Sequence, residues 1–197
     1  MANNNYNNNK GAIALQLIMR AGFLLGLYFM LEYVVTVWST QYILLSLVHV
    51  PMMLLTVVLL FLLLRPLRIL FADEGLSTLR AWTYGVQLMF FAGLLEALFV
   101  YVYNDWLYPD NLSEMHRAMI EQYRQAVDMM QAAKADQSMP SLMQTLHDSR
   151  KVIEEAPVQK PIEAAMSALS NDITYAVFWM IPLGFILRSK PQQTQNQ

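Results

Sequence analysis

Residues 90–103 read FFAGLLEALFVYVY, an apolar run interrupted by one carboxylate, Glu96. Two more ionisable side chains sit in similar company, Glu32 in GLYFMLEYVVTVW and His49 in LLSLVHVPMML. Carboxylates and imidazoles exchange protons and bind cations, and each costs about 3 kcal/mol when left facing lipid at mid-membrane. Such residues are retained where they meet one another inside a bundle. Counted inward at the helical rise from Tyr103, Trp38 and Tyr42, the three lie at about 10, 9 and 10 Å, so they share one layer. Tyr28 and Thr36 fall on the same helical face as Glu32, and Ser46 and Thr56 on that of His49. Gly85, Ala92 and Gly93 fall on the face of Glu96, and small residues let helices approach closely in lipid.

Three kinds of chemistry fit a Glu32–His49–Glu96 layer. The residues can hydrogen-bond to one another and fix helix register; they can relay a proton or cation; or they can hold zinc or manganese. The metal reading is the weakest, because the spacing is non-local and no short ligand motif supports it, so neither a metal nor a cofactor is expected. There is no glycine-rich phosphate loop, G-x-S-x-G, H-E-x-x-H or C-x-x-C, so no catalytic residue is assigned and an enzyme is not expected. His116 and His147 belong to polar segments and read as solvated. With a net charge of −2 and no basic patch, nucleic acid is not an expected partner.

The elements that must position this layer follow from composition. Hydrophobic residues make up 56 % of the chain and charged residues 14 %, well below the quarter or so usual in soluble domains. The apolar excess falls in blocks at Ala21–Trp38, Ile43–Leu64, Tyr84–Tyr103 and Ile173–Leu187. Roughly 20 helical residues cross a hydrocarbon core of about 30 Å. The first three blocks meet that length; the fourth is short unless its helix starts near Pro161, through the small apolar stretch Ile162–Leu169. The expected class is therefore all-α, a polytopic membrane protein with four spans. Residues 1–11 read as a disordered Asn-rich tail, 12–103 as spans one to three, 104–172 as a helical insertion, 173–188 as span four and 189–197 as a second tail. The first block lacks a cleavage site after it and reads as a permanent anchor. Arg20, near its end, is expected to snorkel.

Lys10, Arg65, Arg68, Arg80, Arg188 and Lys190 flank the spans on one side, which predicts both termini in the cytoplasm and residues 104–172 outside. Trp38, Tyr42, Tyr101, Tyr103 and Trp106 mark the outer boundary as an aromatic belt. In the insertion, Pro109 ends span three, and Asn111 with Glu114 makes a capping box for a new helix. Met115, Met119, Tyr123, Ala126, Met130 and Ala133 then form an apolar stripe on a charged helix. Ser138 and Pro140 open a second helix carrying Leu142, Leu146 and Ile153. The stripe either packs within the insertion, lies on the membrane or meets another subunit, with Met115, Met119, Tyr123 and Met130 as the partner surface. No cysteine is present to staple these helices.

The segment RILFADEGLSTLRAWTYGVQLMFFAGLLEALFVYVYNDWLYPD, followed by an amphipathic helix and a late span ending in LRSK, resembles the bacterial membrane proteins known as domain of unknown function 4199. The likeness runs from about residue 12 to 190. It implies a four-span inner-membrane protein of Gram-negative bacteria and supplies no activity or site residues. The leading functional expectation is a non-enzymatic anchor or accessory subunit, embedded in the bilayer and bound to a protein partner or to copies of itself. The alternative is a small oligomeric transporter or proton/cation pathway built on Glu32, His49 and Glu96.

Overall fold

A computed structural model describes residues 2–39, 43–132 and 140–190. Tyr42, Ala133 and Ser138 lie outside them. The described residues form α1 (Ala2–Ser39), α2 (Ile43–Leu70), α3 (Thr78–Val102), a π-helical turn (Tyr103–Leu107), α4 (Asn111–Ala132), α5 (Pro140–Glu155) and α6 (Pro161–Leu187), with no strand among them. Four segments are long and apolar enough to span a membrane: Lys10–Ser39, Pro51–Leu70, Thr78–Leu107 and Pro161–Leu187. The protein is a multi-pass membrane protein. It divides into two compact units, one comprising residues 1–101 with 164–197 and the other residues 102–163.

One boundary differs from the sequence reading, and another is decided between two starts. Helix α1 begins at Ala2, so the stretch expected as a disordered tail is helical; Lys10 is held at the bundle by Asp73 and Glu74, and extending a fixed helical turn costs far less than nucleating one. Helix α6 begins at Pro161, the earlier of the two starts considered. Proline suits the first helical position because its missing N–H has no partner there anyway. Glu163 then accepts the backbone N–H of Lys160 at 3.0 Å.

The loop between α2 and α3 is tightly made. Gly75 takes a φ of 79°, the left-handed conformation glycine adopts without a Cβ penalty, and its N–H reaches the Phe71 carbonyl at 2.8 Å. Ser77 then caps α3, its Oγ accepting the Arg80 N–H at 3.2 Å.

In the spanning unit, α1 and α3 run parallel. A Cβ on Gly22 would lie 2.8 Å from Phe91 Cβ, and one on Gly26 would lie 3.0 Å from Leu95 Cβ. The Gly22-x-x-x-Gly26 pair is therefore a working helix contact. Helices α3 and α6 run antiparallel, and each step along one is matched by an equal step back along the other. Leu76 bonds to Ser189 through backbone and hydroxyl, Gly85 lies under Met180, and Gly93 under Asp172. Ile18, Leu25, Leu60, Leu64, Leu88, Ala92, Ala176 and Met180 fill the core, while Phe23, Leu54, Leu98 and Phe178 point outward, as residues facing acyl chains do.

In the second unit α4 packs on α5, and Val127 and Met143 are buried. The expected capping box does not form. Asn111 is already inside the helix, and its amide donates to Asn104 Oδ1 at 2.7 Å. The Glu114 carboxylate is engaged by the Tyr108 hydroxyl, and the Glu114 N–H by the Asp110 carbonyl. A buried amide–amide bond prevails over the cap because an unpaired Asn104 would be costly at 1 % exposure.

Candidate functional site

The polar layer of the spanning unit is built from three helices and supported by a fourth. On α1, Glu32 lies on the face that also carries Leu25 and Phe29. Its Oε2 is 3.5 Å from Thr56 Oγ1 on α2, a hydroxyl that also donates to its own helix at the Met52 carbonyl, 3.2 Å away. A threonine hydroxyl has a single proton, so the shorter bond is the principal one. Tyr28 donates to the same Met52 carbonyl at 2.7 Å and ties α1 to α2. Thr36, expected to support the layer, donates at 2.9 Å to the Glu32 backbone carbonyl rather than to its carboxylate.

Glu96 on α3 meets Asp172 on α6. The two carboxyl groups are close enough to interact, and Glu32 acts electrostatically on both. A hydrogen bond between them would need a proton from one. Asp172 Oδ2 is buried without a hydrogen-bond partner among the described residues. It sits against the backbone of Gly93, where a Cβ would come within 2.7 Å of it. The absence of a side chain at residue 93 is thus what admits the carboxyl. The cluster can hold protons or accept donors, with fixed helices around it.

Of the expected layer, Glu32 and Glu96 lie near enough to interact electrostatically. The side chains of His49 and Ser46 lie outside the described residues. The sequence places Asp172 at the end of the insertion, whereas the structure sets it beside Glu96 and Gly93 in the layer. Its signal in the sequence is its spacing: Ala165, Leu169, Asp172, Ala176, Met180, Leu183 and Leu187 follow one another by threes and fours along the inner stripe of α6. No group of three or more His, Cys, Asp or Glu among the described residues is arranged to hold a metal ion.

The expected partner surface is divided. Met115, Tyr123 and Met130 are half-buried, while Met119 is exposed. The buried apolar position of α4, Val127, is not one of the stripe residues.

Comparison with curated proteins found no match, and neither did comparison with solved structures. A family model described as protein of unknown function (DUF4199) matches residues 10–189, which takes in all four spans, the carboxyl cluster and the insertion. The chain belongs to the DUF4199 family.

Proposed function

We propose that the protein is a non-enzymatic membrane subunit, an anchor or accessory component of a complex in the bacterial inner membrane, with both termini cytoplasmic. The observation that carries this reading is the closure of the spanning unit. Gly22 and Gly26 on α1 face the α3 backbone, Gly184 on α6 faces the Thr78 carbonyl, Gly85 and Gly93 on α3 admit the Met180 and Asp172 side chains of α6, and the carboxyl cluster lies between those helices. Two shallow depressions of the unit are lined by Leu15, Val86, Phe90 and Ile173, and by Met19, Arg20 and Phe23, and these two do not reach Glu32, Glu96 or Asp172. Basic residues gathered at the ends of the spans support the orientation.

The test is mass spectrometry of the tagged protein purified in mild detergent, alongside Glu96→Gln. A stoichiometric partner that survives a salt wash is expected. A homo-oligomer with no partner in either sample overturns the reading.

A second reading, a proton or cation pathway in an oligomer, draws on one observation, the unpartnered Asp172 Oδ2 beside Glu96. It requires that Glu96→Gln or Asp172→Asn abolish proton flux in proteoliposomes. Unchanged flux in both variants removes it.

A further inference from the structure

The cations of the spanning unit fall into two sets. Lys10 and Arg80 are committed to the loop: Lys10 Nζ lies 3.4 Å from Asp73 and 3.3 Å from Glu74, and Arg80 lies 3.2 Å from Glu74. Arg20, Arg65, Arg68, Arg188 and Lys190 form no ion pair among the described residues, and all five are exposed. Arg65 and Arg68 fall in the last two turns of α2, and Arg188 and Lys190 follow α6. Arg20 lies farther from the end of its span, on the outward face of α1, beside Met19, Phe23 and Leu24, which are 51, 55 and 58 % exposed.

Its depth follows from the contact of Tyr28 with Met52. From that height Arg65 lies about 20 Å back along α2 and Arg20 about 12 Å back along α1, so Arg20 is roughly 8 Å deeper than Arg65. An extended arginine side chain covers most of that distance by snorkelling. A cation inside the hydrocarbon needs an anion. The chain supplies none on this face, since Glu32, Glu96 and Asp172 are turned into the cluster and Asp73 and Glu74 are held at the loop. A second copy therefore brings no countercharge to Arg20 within the span. What fits is a ligand with an anionic group at the level of Arg65 and an apolar chain alongside Met19, Phe23 and Leu24, where the surface is shallowly recessed.

We propose that this face binds an anionic phospholipid, its phosphate held by the Arg20 guanidinium and one acyl chain lying in the recess along α1. The guanidinium fork matches two phosphate oxygens. The unpaired Arg65, Arg68, Arg188 and Lys190 make the surrounding collar net positive, so a headgroup of net negative charge is preferred over a zwitterionic one.

The experiment is native mass spectrometry of the purified full chain with phosphatidylglycerol and phosphatidylcholine of identical acyl chains at equal mole fraction. The wild type is expected to retain phosphatidylglycerol preferentially, Arg20→Gln to lose roughly fivefold of that preference, and Arg20→Lys to keep most of it. A phosphatidylglycerol carrying a photoreactive acyl chain is expected to label the peptide containing Met19–Leu24 in the unmodified protein, a readout that depends on no variant. An unchanged preference in Arg20→Gln, equal retention of both lipids by the wild type, or labelling confined to other helices overturns the proposal.

Discussion

Replacing Gly93 by alanine puts a carbon where the structure has none to spare. The added Cβ would stand 2.7 Å from Asp172 Oδ2, 3.0 Å from its Cβ and 3.3 Å from its Cγ. The carboxyl can rotate away, but the Asp172 Cβ is fixed to the backbone of α6. Restoring an ordinary carbon contact requires α6 to recede by roughly half an ångström, which forfeits a quarter or more of the dispersion well for each neighbouring atom pair. Overpacking of this kind costs about 2 kcal/mol. Asp172→Ala removes the Oδ2 and Cγ contacts and leaves the Cβ contact, so it should return about 1 kcal/mol of that loss in the double variant. Gly11→Ala is the control. Nothing lies within 4 Å of a Cβ there, and the change should stabilise α1 by a few tenths to about 1 kcal/mol. The assay is reversible unfolding in mixed detergent micelles, followed by helical circular dichroism. A Gly93→Ala protein within about 0.5 kcal/mol of wild type, or one destabilised equally with and without Asp172, would refute the close contact of α3 and α6 at this height.

Other expectations rest on single bonds. Tyr28→Phe deletes the 2.7 Å bond to the Met52 carbonyl and should cost about 1 kcal/mol in the same assay; no loss would mean the α1–α2 contact does not depend on it. Glu74 is held below the ordinary carboxylate value of 4.5, first by its hydrogen bond from Lys10 and then by that from Arg80. A depressed value means that its stabilising contribution is present above the ordinary value and lost as pH falls through the lowered one. Amide protection near Lys10, corrected for the intrinsic slowing of exchange in acid, should therefore fall on acidification below about pH 4, and a flat protection profile would count against the ion pairs. Asn111→Ala removes the buried donor to Asn104 and should destabilise the second unit by about 1–3 kcal/mol, read as earlier proteolysis of α4; unchanged proteolysis would show that the bond carries no weight.

Much of the spanning architecture was legible because lipid leaves few alternatives: four apolar segments of sufficient length give four helices. Glu32 and Glu96 were legible as members of one layer because both lie about the same distance from an aromatic boundary. Asp172 was not, because a carboxylate next to Asn171 and Ser170 reads as the edge of a polar segment. Only the inner stripe of small residues on α6, a matter of faces rather than average polarity, assigns it to the interior. Asn111 misled for a related reason. Its spacing from Glu114 satisfies a capping rule, yet the amide was needed seven residues upstream at Asn104, a requirement set by the turn after α3. Helical periodicity likewise selected Met119 over Val127, because a stripe drawn through the largest side chains is displaced from the one that packing uses.

The matched steps of α3 and α6 continue to the top of the spanning unit, where Tyr101 and Ala164 belong to one small apolar cluster with Tyr33, Ala97, Val100, Ala165 and Ala168. The chain thus departs from the bundle and returns to it at neighbouring points, and everything between is an excursion from a doorway one helix pair wide. Segments joined in this way can be exchanged without re-threading the body that carries them. A short polar turn in place of residues 103–162 should leave a four-helix bundle that still inserts, and a foreign hairpin grafted at the same place should ride on it. Such a layout lets the inserted unit of a small membrane protein be changed while the four spanning helices that carry it stay as they are.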